Sequence, residues 1–184
     1  MDRWNSYPFS GPSPLTLKGQ SVMGRYVNPG NYAFRRIAGP DYVDKTNLIG
    51  LMNERISGKD SLVCMSRPRR FGKSYAVKML TAYYDCSCDS RELFSDKVIA
   101  ESENFDDHLN QYNVILLDVS GFVSDVKKYG GSLDSLKSVP AMIERALWKD
   151  LVESGFRPGE GDSLNDFLIR IVEQPCGNPF FYHR

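Results

Sequence analysis

Residues 66–74 read SRPRRFGKS, with four positive side chains and no acid, between the apolar run SLVCMS (61–66) and the helix-like YAVKMLTAYY (75–84). Against the phosphate-loop pattern G-x-x-x-x-G-K-[ST], the octet Arg67, Pro68, Arg69, Arg70, Phe71, Gly72, Lys73 and Ser74 matches at the last three fixed positions and misses at the first. Such a loop needs backbone N–H groups pointing inward at a phosphate chain, and Gly72 permits that close approach because it has no side chain. Lys73, at the start of a helix, is placed to reach the outer phosphates, and the Ser74 hydroxyl to ligate magnesium. The helix adds the positive end of its dipole. Arg67 carries a Cβ where the pattern has glycine, and Pro68 has no N–H, so some backbone donors are lost. The guanidinium forks of Arg67, Arg69 and Arg70 offer donors in their place. A solvated basic turn that merely starts a helix is the plain alternative, and a nucleic-acid patch is the other functional one.

The 184 residues are 41% hydrophobic and 25% charged, an ordinary globular composition with room for one core. Basic and acidic residues number 23 each, so no overall field draws the chain to nucleic acid or an acidic membrane, and any basic function is local. No apolar stretch reaches signal-peptide or membrane-span length, which sets the expectation of a cytoplasmic protein with no membrane partner. The cysteines Cys64, Cys86, Cys88 and Cys176 and the histidines His108 and His183 lack zinc-site spacing, and the cysteines read as free structural thiols.

Residues 1–24 are rich in Ser, Pro and Gly without periodicity and are expected to form a flexible arm, with residues 25–184 as one domain. In YVDKTNLIGLMNERISG (42–58), Leu48, Ile49, Met52 and Ile56 share a helical face, with Asp44 as N-cap, Val43 and Leu48 as a staple and Gly58 as C-cap. SLVCMS reads as a buried strand, and the helix after the basic loop groups Ala76, Met79, Leu80 and Tyr83. YNVILLDVSG (112–121) reads as a strand buried on both faces. Ile143, Leu147 and Leu151 predict a helix that Pro140 helps to start, and Leu164, Phe167, Leu168 and Ile171 predict one opened by Asp162 or Ser163. The strand, loop, helix order predicts an α/β fold with a mostly parallel sheet flanked by helices.

YVDKTNLI followed by SRPRRFGKSYAVKML, then LF at 93–94 and YNVILLDVSGF at 112–122, resembles the bacterial predicted AAA-ATPase-like family over about residues 25–175. Members carry the R-P-R-R-F-G-K-[ST] form of the loop without the first glycine, and many continue into a PD-(D/E)XK nuclease-like domain. The resemblance implies a P-loop NTPase fold with ATP and magnesium as ligands. VILLD (114–118) by itself looks like a Walker B strand ending in a magnesium-binding Asp118. In the family the true Walker B comes later and ends in Asp-Glu, which favours Asp118 as a strand-end residue capping the next turn. With NPFFYHR at the end of the sequence, the resemblance implies a domain truncated before Walker B. A one-base insertion in a run of T would turn an expected F-F-I-I-D-E strand into this ending. A sheet stopped early would expose an edge and invite self-association or a partner chain.

Three function classes follow. The first is a family NTPase fragment that binds ATP with magnesium and hydrolyses little or none. The second is a phosphotransferase or NTPase with Asp118 as its magnesium acid. The third is a non-enzymatic anion or nucleic-acid binding module. No catalytic residue is assigned, and the acids of SENFDDHLN (102–110) read as a solvated loop.

Overall fold

The computed structural model describes residues 24–56, 61–66, 68, 70–128, 133–172 and 180–183. In chain order these form α1 (Tyr32–Arg35), α2 (Asn47–Ile56), α3 (Lys73–Tyr84), α4 (Arg91–Phe94), α5 (Phe105–His108), β1 (Asn113–Leu116), α6 (Val119–Lys128), α7 (Val139–Glu153), α8 (Leu164–Val172) and β2 (Phe180–His183). Short 3₁₀ turns lie at Val98–Glu101 and Leu133–Ser138. Apart from Gly24, the arm expected over 1–24 lies outside the described residues, as do the Gly58 cap, Arg67, Arg69 and Cys176. No described helix is long and apolar enough to cross a membrane.

The mostly parallel sheet flanked by helices is not what forms. Helices dominate the described residues, and the sheet is a ladder of two strands. β1 and β2 pair in parallel, with Asn113 opposite Phe180 and Leu116 opposite His183. The chain at 26–28 takes the other edge of β1. Asn28 N donates to Val114 O at 2.8 Å, Leu116 N donates to Tyr26 O at 2.8 Å, and an antiparallel bridge joins Val27 to Ile115. With both edges of β1 occupied, the run 61–66 has no place beside it. That run takes no regular secondary structure, and Leu62 is 96% exposed. Leu62, Val63 and Cys64 instead share a shallow pocket with Leu48 and Met52 of α2. An apolar run announces a tendency to be buried but does not name the edge that would bury it.

β1 organises the interior because successive residues of a strand point to opposite faces. Val114 enters a core made by Phe34, Ile49, Met79, Tyr83 and Phe94. Ile115 enters a second one with Val27, Leu147, Leu151, Phe167 and Ile171. A smaller cluster of Phe122, Val126 and Val139 joins α6 to α7. The helical periodicities translate directly into packing. Ala76, Met79, Leu80 and Tyr83 of α3 are buried, as are Ile49 and Met52 of α2, Leu147 and Leu151 of α7, and Phe167 and Ile171 of α8. Ser163 and Asp166 open α8 reciprocally: Asp166 N donates to Ser163 Oγ at 3.2 Å and Ser163 N to Asp166 Oδ2 at 3.1 Å.

Two buried carboxylates fasten the segment before α1. Asp150 of α7 accepts from Arg25 N (3.0 Å), Tyr26 N (2.7 Å) and Val27 N (2.7 Å). Gly24 makes room for it, since a side chain there would stand 2.6 Å from Asp150 Oδ2. Asp85, just past α3, accepts from Gly30 N at 2.6 Å and Ser87 N at 2.8 Å. Burial pushes the Asp85 carboxyl above the ordinary range despite these hydrogen bonds.

Asp150→Ala deprives three backbone N–H groups of their acceptor. We expect a loss of about 3 kcal/mol and a thermal midpoint lower by roughly 6–12 °C; an unchanged midpoint would mean that the segment is held by other contacts. Asp85 behaves in the opposite sense to most acids. Because its folded pKa is raised, its contribution to stability is fullest below the unfolded pKa and is lost as pH rises through the folded value. Asp85→Asn carries no charge to desolvate. In urea unfolding, the stability of the wild type relative to this variant should therefore fall as pH rises above the ordinary carboxylate range of about 4, whereas a pH-independent difference would refute the assignment.

Candidate functional site

The basic loop meets α3 at Gly72, which caps the helix with φ 77° and ψ 21° and leaves it without any side-chain cap. This left-handed conformation costs a residue with a Cβ about 1–2 kcal/mol and glycine almost nothing. The Gly72 carbonyl accepts from Tyr75 N at 3.0 Å and Ala76 N at 2.9 Å, which closes the first helical turn. The amide and hydroxyl of Ser74 have no protein partner among the described residues, and its side chain is exposed. The start of α3 is thus positively polarised and open to solvent.

The other end of the helix is held rigidly. Tyr83 OH donates to Phe105 O at 2.6 Å, and Tyr84 OH to Asn53 Oδ1 at 2.7 Å. Burial pushes the Tyr83 hydroxyl up to about 12 and raises Tyr84 as well, so both stay protonated donors at neutral pH. A helix fixed through its last turn presents its first turn in a set place.

Around that first turn the charges are positive. Lys73 Nζ reaches back to donate to Pro68 O at 3.3 Å. Arg70 is exposed and sits at φ 67°, a second left-handed residue and one with a Cβ. Pro68 and Phe71 are exposed beside it, while Arg67 and Arg69 lie outside the described residues.

Sequence reasoning assigned no chemistry to Lys45, in the stretch before α2. A methyl group at Gly72 would stand 3.0 Å from its Nζ, so the ammonium lies against the glycine that starts α3. Its neighbours fix it there. Asp44 accepts from Thr46 N (2.8 Å) and Val98 N (2.9 Å), and the buried Thr46 accepts from Ile99 N at 3.1 Å through Oγ1. Burial opposes ionisation of Asp44, yet these bonds outweigh it and bring the carboxyl below its ordinary value. Lys45 and Arg70 enter no ion pair among the described residues. The closeness of residues 45 and 72 comes from packing of α2 on α3, and no local pattern announces it.

Asp118 lies at the start of α6, its carboxylate turned to its own helix. Oδ1 accepts from Ser120 N at 3.0 Å and from Ser120 Oγ at 2.5 Å, and these bonds hold the acid below the usual carboxylate range. Elsewhere, Cys64, Cys86 and Cys88 are free thiols, and burial pushes Cys88 up to about 11, so it stays protonated near neutral pH. His108 Nδ1 pairs with Tyr112 OH at 2.5 Å, in a contact that closes α5 onto β1. Among the described residues no three His, Cys, Asp or Glu side chains gather as a metal centre.

A family model described as predicted AAA-ATPase matches residues 30–145, a segment that contains the loop, Lys45 and Asp118. No curated protein and no solved structure matches the chain.

The backbone of the loop makes a paired prediction. Gly72→Ala must carry a Cβ at φ 77° against Lys45, and should lose about 1–2 kcal/mol in urea unfolding. Arg70→Gly relieves a Cβ at φ 67° and should gain about 1 kcal/mol. Equal effects of the two substitutions would contradict the loop conformation.

Proposed function

Because the chain belongs to the predicted AAA-ATPase family, we propose that the loop at 67–74 binds the phosphate chain of ATP together with magnesium. The observation that carries this is the open first turn of α3, where the helix start has no side-chain cap, the Ser74 amide has no partner among the described residues, and Lys73 supplies an ammonium from the same turn. Helix amides and the dipole attract an anion there, and Gly72 lets it approach the backbone. Lys73 supplies a mobile point charge, which gives up its bond to Pro68 O for a phosphate oxygen. Arg70 offers a planar fork at the rim, with Arg67 and Arg69 as its neighbours in sequence.

The residues fit magnesium through Ser74, whose exposed hydroxyl follows Lys73 on the same turn. When bound, the ion would neutralise negative charge on the phosphate chain. Asp118 is already committed to Ser120, and no residue here is assigned the activation of a water. The function proposed is therefore nucleotide binding, with turnover left out of the assignment.

Calorimetric titration with ATP and magnesium tests this. Lys73→Ala should weaken binding by roughly 100-fold, and Ser74→Ala should weaken the magnesium complex while leaving magnesium-free ATP unaffected. A wild type that binds no ATP, or binds it as well after Lys73→Ala, overturns the proposal. Binding of an oligonucleotide that depends on Arg70 would then assign the loop to nucleic acid instead.

A further inference from the structure

We propose that Lys45, which lies outside the loop motif, is a phosphate-binding residue of the same site and suits it to a polyphosphate tail. This rests on the proposed nucleotide site and deepens it. Lys45 stands between two anchored residues: Asp44 holds Thr46 N and Val98 N, and Thr46 is fully buried beside Ile99. Its backbone is thus fixed while its side chain is exposed, and the ammonium lies where a side chain on Gly72 would otherwise be, 3.0 Å from that Cβ position. An oxygen seated over the first amides of α3 falls within reach of it.

The charge pattern points the same way. Lys45 and Arg70 have no ion-pair partner among the described residues; the Lys45 ammonium lies against Gly72, Lys73 follows that glycine, and Arg70 stands two residues before it. Like charges so placed repel one another, and a multiply charged anion reverses the sign of that interaction. A chain of phosphates carries more negative charge along its length than a single phosphate does, and so offsets more of this repulsion. Gly72 then serves twice, by accepting φ 77° and by leaving room for the second lysine. A side chain at position 72 would press against the ammonium as well as strain the turn.

The test is calorimetric titration of the full chain with ATP–magnesium and with inorganic tripolyphosphate. Lys45→Met should weaken both ligands about tenfold, or about 1.4 kcal/mol. Lys45→Arg, which keeps the charge, should restore most of the loss. Because Lys45 is exposed, the thermal midpoint of Lys45→Met should match that of the wild type; were it to misfold, Lys45→Gln provides the same readout. If Lys45→Met binds both ligands as the wild type does while Lys73→Ala does not, this inference fails and the nucleotide site stands. If it weakens ATP but not tripolyphosphate, the contact is not to phosphate and the inference again fails. If the wild type binds neither ligand, or Lys73→Ala changes nothing, both readings fall together.

Discussion

For α3 to begin where it does, residue 72 must adopt φ 77°, a conformation closed to most side chains and open to glycine. The candidate site follows from that one constraint. It lets the chain turn sharply out of the basic loop, leaves the helix start without a side-chain cap, and leaves space for the Lys45 ammonium. Arg70, at φ 67°, holds a second left-handed position with a Cβ in place. Strain of this kind persists only where the surrounding structure imposes it, and it is often found where a ligand is held.

The other end of α3 is anchored in the core. Tyr83 and Tyr84 anchor the last turn of α3 through Phe105 and Asn53, inside the core that also receives Val114 from β1. On the opposite face of β1, Ile115 packs with α7 and α8, while Asp150 ties the chain at 25–27 to α7. Each buried carboxylate is offset by backbone N–H donors, the arrangement that makes a buried acid tolerable. Lys45, Lys73 and Ser74 are exposed and lie outside these cores, so substitutions there address binding with little effect on folding.

The features legible in the sequence are those decided locally. The buried faces of α2, α3, α7 and α8 follow from a 3.6-residue apolar period that each helix carries within itself. The Gly72–Lys73–Ser74 motif marks the start of α3 for the same reason. What escaped depends on distant residues. SLVCMS is apolar enough for a strand, but both edges of β1 are taken, by residues 26–28 and by β2, and the run stays exposed. Helix α6 was hidden behind the strand-like VILLDVSG, although Phe122 and Val126 stand four residues apart and Asp118 caps its start. Lys45 stands in the YVDKTNLI stretch that marks the family, but nothing local there announces its meeting with Gly72, which exists only once α2 and α3 have packed.

The most direct test of a phosphate-binding α3 terminus is a map of backbone amide NMR shifts as ATP–magnesium is added to the full chain. The largest changes are predicted at Gly72, Lys73 and Ser74, with a smaller one at Lys45 and none at the buried Tyr83 and Tyr84. Shifts concentrated on another surface, with Gly72 to Ser74 unmoved at saturating nucleotide, would contradict the account.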